Sequence, residues 1–327
     1  MKQNSIQSFT DLNPDKILSA VEAAGFWPTG EFQQLNSYEN RVFEVKLEAS
    51  DNPETPQKII VKFYRPGRWS LPCIQEEHSF LIELEAEKIP VVAPIRFKQN
   101  STILEFEGHL VAFFPKFYGK MPDEFLGDDL QKAGRTLAQI HNVGAKYKFK
   151  HRPRLGFEPY QINEMLHTID RFLVPEMKSR YLNAAQEIED LYYDNFDSSR
   201  FFRIHGDCHR GNLLKRPQTG TENLFYFIDF DDCMMGPASQ DVWMLLSDFS
   251  DESEKEILLS GYEELRDFPL GEWQKIPILR GLRIISYAAW IGNRWLDPSF
   301  PKIFPEFGSY NYWAEETEQL EKILRLF

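Results

Sequence analysis

Apolar and polar residues alternate in the first third of the chain, and a period of two is typical of strands that bury one face. This pattern covers residues 43–47, and a nearly continuous apolar run at 58–64 predicts a second, more buried strand. A helix is expected at 74–87, and two further strands are expected at 102–106 and 109–114. The order predicted for this part is strand, strand, helix, strand, strand.

Cap and turn residues mark the limits of some elements. Asn13 and Pro14 fit an N-cap and a first helical position, and Gly25 fits the end of the same short helix. Residues 51–57 are polar and contain proline, which predicts a turn before the buried strand.

Beyond Pro115 the pattern changes from strands to helices. Helices are predicted around residues 130–141, 176–193, 239–249, 254–266 and 273–296, with a turn-and-strand section at 201–232. We therefore predict an α+β protein with a strand-rich N-terminal domain at 1–115 and a helix-rich domain at 116–327. A ligand site is expected near the junction at 113–118, because pockets favour domain interfaces.

Composition excludes several classes of protein. The 327 residues carry 37 Lys and Arg against 50 Asp and Glu, a formal net charge of −13. Such a balance argues against binding to nucleic acid or to anionic lipid, which need clustered cations. No run approaches the ~20 apolar residues that cross a bilayer, and the N-terminus lacks the apolar core of a signal peptide. We expect no membrane partner.

Cysteine usage indicates the compartment. Cys73, Cys208 and Cys233 are odd in number, and none lies in a Cys-x-x-Cys pair. Neither a disulfide framework nor a cysteine zinc site is therefore indicated, and the reducing cytoplasm is the expected location. Cys208 is interpreted as a small buried filler. We expect a monomer, since the chain contains no heptads and no obvious interface segment.

The densest polar cluster is the stretch 205–214, His-Gly-Asp-Cys-His-Arg-Gly-Asn-Leu-Leu, which follows an apolar run. Asp229 ends another apolar segment, and Lys62 lies inside the strand predicted at 58–64. Charges in such positions need an opposite charge or a metal. Phosphoryl transfer from ATP needs this set: a Lys for the phosphates, a Glu that holds it, Asn and Asp ligands for Mg²⁺, and an Asp for the attacking hydroxyl.

The spacing of these residues supports the same chemistry. Asp207 and Asn212 are five positions apart, as are the catalytic Asp and the metal-binding Asn of kinases. Glu77 lies fifteen residues after Lys62 on the next predicted helix, and the adjacent Glu76 is the alternative partner. One Asn with one or two Asp residues suits Mg²⁺, which prefers oxygen ligands and few protein contacts.

The motif His-Gly-Asp-x-His-x-Gly-Asn, followed by Ile-Asp-Phe-Asp, resembles the aminoglycoside phosphotransferase and choline kinase superfamily. The chain is more similar to one branch, the bacterial stress response kinase A type (SrkA/RdoA) of serine/threonine protein kinases. The similar stretches are residues 35–42, 61–69, 205–209, 236–246 and 295–298. The resemblance therefore extends over nearly the whole chain.

This resemblance implies a bilobal protein-kinase-like fold and an enzyme that uses ATP and Mg²⁺ to phosphorylate Ser or Thr of protein substrates. It implies that Asp207 is the catalytic base. It implies that Asp229 is a second catalytic residue and the main Mg²⁺ ligand, with Asn212 as the other ligand. Only six residues separate Asp229 from Gly236, which leaves little room for a long activation loop.

The resemblance also implies an ATP-binding set. Lys62 and Glu77 would form the ion pair over the phosphates, and Ser37, in the turn between the first two strands, would approach them. The chain departs from the kinase pattern here, because no Gly-x-Gly-x-x-Gly precedes Lys62 and residues 36–40 read Asn-Ser-Tyr-Glu-Asn. Small polar side chains and backbone N–H groups could still meet a phosphate.

Three functions stay open at this point. The favoured one is a cytoplasmic serine/threonine protein kinase. The second keeps the chemistry and changes the acceptor to a small hydroxyl metabolite, such as an amino alcohol, a sugar or an aminoglycoside. The third is a nucleotide-binding scaffold without catalysis, which is disfavoured because a scaffold need not retain the base Asp207.

Other residues have structural alternatives. Asp231 and Asp232 are either metal ligands or exposed acids after a strand. Tyr287, Trp290 and Trp295 are at helical spacing and belong either to the core or to the wall of an acceptor pocket.

Buried polar residues near the catalytic loop are expected to be structural. His205 and His141 are interpreted as packed, hydrogen-bonded histidines, and Asp241 is expected to bind backbone N–H groups near the loop.

Overall fold

Five strands in the N-terminal part form one antiparallel sheet in the order β1-β2-β3-β5-β4. The structure is a computed structural model, and it describes residues 9–49, 56–156, 161–216, 225–246 and 251–327. The strands are β1 (Pro28–Leu35), β2 (Arg41–Leu47), β3 (Lys58–Phe63), β4 (Ile103–Phe106) and β5 (His109–Pro115). The turn predicted at 51–57 lies outside the described residues except for its last two positions.

The alternation of β2 is confirmed, because Phe43, Val45 and Leu47 are buried in the core of this part. Strand β3 is central in the sheet, and its Lys62 lies opposite Val42 of β2 and Ala112 of β5. A lysine in a central strand cannot reach water past an edge, so its charge must be matched inside the protein.

Strand β1 is absent from the prediction. Its sequence, Pro-Thr-Gly-Glu-Phe-Gln-Gln-Leu, lacks alternation, and most of its side chains are at least partly exposed because it is an edge strand. Its pairing with β2 is irregular between Pro28 and Phe32, where Gly30 has a φ of 93°. An edge strand with a bulge needs few apolar residues, so its sequence signal is weak.

Two helices accompany the sheet. Helix α1 (Pro14–Ala24) begins and ends as predicted: the Asn13 side chain accepts a hydrogen bond from the Lys16 amide at 2.9 Å, and Gly25 is left-handed. Helix α2 (Leu71–Ala86) begins three residues before the predicted start, where the Ser70 side chain caps it. The buried face of α2 carries Glu77 among apolar residues.

The C-terminal part is mainly helical. Its helices are α3 (Asp129–Gly144), α4 (Ile162–Ile169), α5 (Pro175–Asn195), α6 (Ala238–Met244), α7 (Glu252–Tyr262), α8 (Ile276–Asn293), α9 (Phe300–Ile303) and α10 (Tyr310–Leu324). Two small antiparallel pairs join β6 (Phe202–Ile204) to β9 (Met234–Gly236) and β7 (Leu213–Lys215) to β8 (Phe225–Phe227). Among the described ranges, no helix is long and apolar enough to cross a membrane.

The five predicted helices of this part are present, although their ends differ. The helix predicted at 239–249 ends at Met244, and residues 247–250 lie outside the described ranges. Helices α4, α9 and α10 were not predicted. The apolar residues of α4 recur at helical spacing, so a signal for this helix is present in the sequence. The predicted α+β class is confirmed, whereas the domain limit at 115/116 stays a prediction.

Candidate active site

A cavity of about 850 Å³ lies between the sheet and the helix-rich part, a volume typical of small-molecule sites. All six residues predicted for the site line this one cavity. They are Ser37, Lys62, Glu77, Asp207, Asn212 and Asp229. The structure therefore brings together residues that are up to 192 positions apart in the sequence (229 − 37).

Lys62 is nearly fully buried and is surrounded by carboxylates. Its Nζ lies 3.0 Å from Asp231, 3.5 Å from Asp229 and 3.6 Å from Glu77. Burial alone would lower the pKa of Lys62, but the charges of Asp231 and Glu77 outweigh it and raise the pKa well above its ordinary value. Lys62 is therefore a fixed positive charge inside the cavity.

The partner of Lys62 on α2 is Glu77 and not Glu76. The Glu77 side chain is 1% exposed, accepts a hydrogen bond from the Tyr64 hydroxyl at 3.1 Å and forms an ion pair with Arg152. The Glu76 side chain instead accepts hydrogen bonds from the backbone N–H groups of residues 150–152. Adjacent residues on a helix point in different directions, so one glutamate serves the cavity and the other holds a loop.

The catalytic-type loop between β6 and β7 depends on a glycine and an aspartate. Gly206 has a φ of 85°, and a Cβ atom there would lie 2.1 Å from the Asp232 carbonyl oxygen. The Asp241 carboxylate accepts hydrogen bonds from the backbone amides of His205 and Gly206, at 2.7 and 2.8 Å. The His205 ring is bonded to the Ile228 carbonyl oxygen. The structural roles expected for His205 and Asp241 are therefore confirmed.

Two more buried residues next to the loop are also structural. His141 is fully buried between the Tyr262 hydroxyl and Asp241, and burial lowers its pKa. Cys208 is 1% exposed, and burial raises the pKa of its thiol well above the ordinary value. A buried, protonated thiol is a poor nucleophile, so the interpretation of Cys208 as a filler is consistent with its surroundings.

Asp207 projects from this loop into the cavity and is ionised. Its Oδ1 lies 2.8 Å from Nη2 of Arg283, and its Oδ2 lies 3.5 Å from Nε2 of His209. Burial would raise the pKa of Asp207, but the His209 hydrogen bond and the Arg283 charge hold it well below its usual range. A carboxylate of this kind can accept a hydrogen bond from an acceptor hydroxyl.

Asn212 and Asp229 provide the oxygen ligands expected of a magnesium site. The Asn212 amide nitrogen donates to the Asp207 carbonyl oxygen at 2.9 Å, which fixes the orientation of the amide. Asp229 has a φ of 59°, and half of its side-chain surface is open to the cavity. Within the described ranges no three His, Cys, Asp or Glu side chains converge as a metal cage. Mg²⁺ is commonly held by one or two protein ligands and substrate phosphates.

The electrostatics around Asp229 agree with this ligand set. Burial raises the pKa of Asp229, Lys62 opposes this effect, and the nearby carboxylates of Asp231, Asp232 and Asp207 raise the pKa further. A divalent cation would relieve this concentration of negative charge. The residues present therefore fit Mg²⁺ bound by Asn212 and Asp229.

The carboxylate of Asp231 is buried and forms contacts within the protein. Its carboxylate pairs with Lys62, forms a close ion pair with Arg68 and accepts a hydrogen bond from the side-chain amide of Asn40 at 3.3 Å. Asp232 pairs with the same Arg68 at 2.5 Å. Neither residue is an exposed acid after a strand, and the roles of Arg68 and Asn40 were missed, although both lie in stretches singled out above.

Ser37 lies in the turn between β1 and β2. Its Oγ accepts a hydrogen bond from the backbone N–H of Asn40 at 3.3 Å, which shapes the turn. The Ser37 side chain also lines the cavity. Contact between Ser37 and a phosphate stays a prediction.

One face of α8 lines part of the cavity wall, here called the acceptor end after the acceptor pocket considered above for its aromatic residues. Its residues are Leu279, Leu282, Arg283, Ser286, Tyr287 and Trp290. The rings of Tyr287 and Trp290 are stacked with centroids 5.4 Å apart, whereas Trp295 packs against Phe172 and Phe307 in the core. The predicted aromatic trio is therefore divided between the cavity wall and the core.

Comparison with known proteins gives consistent matches. Residues 31–275 match the phosphotransferase enzyme family. Stress response kinase A of Escherichia coli strain K12 is 36% identical over 320 residues, which are 96% of this chain and 93% of that protein. Serine/threonine protein kinase RdoA of Salmonella typhimurium is 36% identical over 324 residues, which are 95% of this chain and 92% of that protein.

Solved structures show the same fold at low sequence identity. A microcompartment-associated aminopropanol kinase has a TM-score of 0.73 at 19% identity, over 94% of this chain and 98% of that one. An amicoumacin kinase, solved with AMP-PNP, Ca²⁺ and amicoumacin, has a TM-score of 0.71 at 17% identity, over 94% and 93%. These likenesses confirm the predicted kinase-like fold.

Proposed function

Since this chain belongs to the phosphotransferase enzyme family and is an ATP-dependent phosphotransferase, we propose that it is a serine/threonine protein kinase of the bacterial stress-response type. The observation that supports a protein acceptor is the 36% identity, over nearly the whole chain, to relatives named stress response kinase A and serine/threonine protein kinase RdoA. The cavity supports the transfer chemistry, because it contains the complete set of charged groups that this chemistry needs.

The donor would bind at the end of the cavity that contains Lys62, here called the nucleotide end. Lys62, held by Glu77, would pair with the phosphates of ATP, and Ser37 would approach them from the β1–β2 turn. Asn212 and Asp229 would hold Mg²⁺, which would supply positive charge to neutralise the phosphates of ATP. Binding the polyphosphate would also draw Lys62 away from Asp231, so that one carboxylate is exchanged for another anion.

Asp207 would orient the acceptor hydroxyl and accept its proton as the acceptor oxygen bonds to the γ-phosphorus and the bond from that phosphorus to the oxygen of the leaving ADP breaks. Its low pKa makes it a weak base, so positioning of the hydroxyl in line with the γ-phosphate would be its main contribution. Arg283 and His209 hold the carboxylate from two sides and so fix its direction.

The test is a transfer assay with purified protein, γ-labelled ATP, Mg²⁺ and a generic protein acceptor. We expect label on Ser or Thr of the acceptor, and nearly none with Asp207→Ala, whose fold is checked by circular dichroism. Near-wild-type transfer by that variant would contradict the role of Asp207. Absence of label on any protein, with ATP still consumed when small alcohols are added, would contradict the protein acceptor.

A small hydroxyl metabolite is the second candidate. It is supported by the stacked Tyr287 and Trp290 in the cavity wall and by the fold shared with the aminopropanol and amicoumacin kinases. Saturable ATP consumption with one compound of a panel of amino alcohols, sugars and aminoglycosides would favour it. The scaffold alternative is set aside, because the chain belongs to a family of enzymes and retains Asp207 and Asp229.

We also propose a cytoplasmic location and a monomeric state. The first is supported by three buried, unpaired cysteines, which suit a reducing compartment. The second is supported only by the absence of heptads in the sequence, and size-exclusion chromatography with light scattering tests it. A stress-response role is supported by the names of the relatives.

A further inference from the structure

The turn that connects β1 to β2, residues 36–40, contains no glycine. A glycine-rich loop can bring its backbone close to phosphates because glycine has no Cβ and adopts conformations that other residues avoid. A turn of Asn-Ser-Tyr-Glu-Asn lacks this freedom. Its position over the nucleotide end must therefore come from contacts with the rest of the protein, and those contacts are specific.

Glu39 makes these contacts across the cleft. Its carboxylate lies 2.9 Å from Nε of Arg65, which follows β3 in the strand-rich part. It also accepts a hydrogen bond from the Trp290 indole N–H at 2.7 Å and lies 2.5 Å from Nη2 of Arg294. Trp290 belongs to α8, and Arg294 is the residue directly after this helix. The Glu39 side chain therefore joins the strand-rich and the helix-rich parts of the molecule.

Further bonds hold the same turn. The Arg65 side chain donates to the carbonyl oxygens of Tyr38 and Glu39, and its backbone amide donates to the Asn40 side chain at 3.0 Å. The Arg65 guanidinium also reaches Asp297, 3.4 Å away, in the segment after α8. Arg65 is therefore the second link between the turn and the helix-rich part.

The burial of Glu39 makes the arrangement sensitive to substitution. Its side chain is 13% exposed, as is that of Arg294. Removal of one member of such a pair leaves the other charge buried without its partner, which costs far more than the loss of an exposed ion pair. The hydrogen bond that the Trp290 indole N–H donates to the Glu39 carboxylate also fixes its direction.

The contact between Glu39 and Trp290 also connects the β1–β2 turn to the wall of the cavity. The indole N–H binds Glu39, while its ring lines the acceptor end of the cavity and stacks on Tyr287. A displacement of the β1–β2 turn would therefore move a side chain of the acceptor wall, and a ligand against Trp290 would restrain the turn.

We propose that Glu39 is a positioning residue that connects the β1–β2 turn to α8. Its contacts fix the position of a turn that has no glycines to bring its backbone close to the phosphates. This rests on the proposed function in assuming that the turn faces the phosphates of ATP. Because Glu39 joins the turn to Trp290, nucleotide and acceptor each favour the same joined arrangement. Their binding is therefore positively coupled, and each raises the affinity of the other by the same factor.

The first test is hydrogen exchange of the turn amides in the full-length protein without ligands. Glu39→Gln keeps the size of the side chain and removes its charge. We expect the amides of residues 37–40 to exchange about tenfold faster in this variant, while the amides of β3 are unchanged. Glu31→Gln is the matched control, because among the described residues Glu31 forms its ion pair with the exposed Lys46 on the same hairpin, at 2.9 Å. Unchanged exchange in folded Glu39→Gln would overturn the proposal.

The second test measures coupling. The Kd of a non-hydrolysable ATP analogue with Mg²⁺ is compared without and with the generic protein acceptor of the transfer assay, and we expect this acceptor to lower the Kd about fivefold in the wild type. This ratio should fall to about one in Glu39→Gln and in Trp290→Phe, which keeps a ring and loses the N–H. A ratio of one in the wild type, or an unchanged ratio in Trp290→Phe, would overturn the coupling.

The two tests separate this proposal from the proposed function. Exchange is measured without nucleotide or acceptor, so its result does not depend on the identity of either. A wild type that transfers phosphate only to a small alcohol would contradict the protein acceptor and leave the role of Glu39 to be decided by the exchange rates. If Glu39→Gln does not fold, exchange in Trp290→Phe and Arg294→Gln decides in the same way.

Discussion

The two ends of the cavity are built from different kinds of residue. The nucleotide end is dominated by charge: it contains Lys62, Arg68, Glu77, Asp229, Asp231 and Asp232. The acceptor end is mostly the face of α8, where a single charged side chain, Arg283, lies among apolar and aromatic residues. The first end is held by ion pairs between distant segments, and the second by the packing of one helix.

This difference explains why the donor can be deduced more readily than the acceptor. Buried charges are tolerated only with partners, so a set of charged residues at particular spacings permits few arrangements and few ligands. Apolar and aromatic side chains accept many ligands of similar shape. The charged residues of the nucleotide end therefore restrict the possible ligands more than the apolar and aromatic residues of the acceptor end do.

The largest effect is expected from the removal of Asp229 at the nucleotide end. Asp229→Ala deletes the carboxylate proposed as the main Mg²⁺ ligand, and we expect transfer to fall about 10³-fold, because charge neutralisation of the phosphates is lost. Initial rates with labelled ATP at several Mg²⁺ concentrations measure this. The fold should remain, since half of the side-chain surface of Asp229 faces the open cavity.

Asp232→Ala is the matched control at the same end. Asp232 has a carboxylate three residues away, is partly exposed and pairs with Arg68. We expect a loss of transfer below about tenfold, as is usual for a partly exposed ion pair. Equal losses in the two variants would mean that the nucleotide end responds to total charge and contains no specific ligand.

The sequence allowed most of this site to be predicted, for a physical reason. Lys62, Asp207 and Asp229 stand out because their charges lie in or next to apolar stretches, and Asn212 stands out by its spacing of five residues from Asp207. Arg152 was missed although it is buried and pairs with Glu77. Its partners lie about 75 positions away in the sequence, so no local pattern points to it.

The fold shows the same limit. Strands β2, β3, β4 and β5 were all predicted, whereas β1 is an edge strand whose residues do not alternate and whose pairing with β2 is irregular, so it carries little pattern. The choice of Glu77 over Glu76 follows from helix geometry once the helix is placed. The link between Glu39 and Trp290 joins residues 251 positions apart and could not be predicted from spacing.

His78 permits a test of the charged end through stability. It is buried behind Glu77, with its ring nitrogens 2.9 Å from the Tyr64 hydroxyl and 2.8 Å from Oγ1 of Thr102. Burial, with the charges of Lys62 and Arg152, lowers its pKa from 6.5 to about 3. Between these values the unfolded chain binds a proton that the folded protein does not, so acidification through this window destabilises the fold.

We expect the free energy of unfolding of the wild type, relative to His78→Gln, to fall by about 3 kcal/mol between pH 7.5 and pH 4. Urea unfolding of both proteins across this range measures the difference between their free energies of unfolding. The effects of carboxylates that titrate in both proteins cancel in this difference. A difference independent of pH would show that His78 has the same pKa in the folded and the unfolded chain, and the nucleotide end would then be less isolated from water than its contacts indicate.

Glu316 of α10 provides the opposite test behind the acceptor end. Burial, with the charge of Glu315, raises its pKa from 4.5 to about 7. The folded protein therefore binds a proton that the unfolded chain releases, and stability falls as the pH rises through this window. Glu316→Gln should gain about 3 kcal/mol of stability over the wild type between pH 4.5 and pH 7.5. If the wild type instead lost stability relative to Glu316→Gln as the pH falls, the buried environment given for Glu316 would be contradicted.

The smallest effect is expected at the acceptor end itself. Tyr287→Ala removes a partly exposed ring that lines the cavity and stacks on Trp290. We expect the KM for the acceptor to rise about tenfold, equivalent to about 1.4 kcal/mol, with the KM for ATP within about twofold of the wild type. Tyr310→Ala, an exposed tyrosine that does not line the cavity, is the control and should change neither value. A rise in both KM values for Tyr287→Ala would show that the Tyr287 ring also holds Trp290 in place, so that its loss reaches Glu39 and the β1–β2 turn and is not confined to the acceptor end.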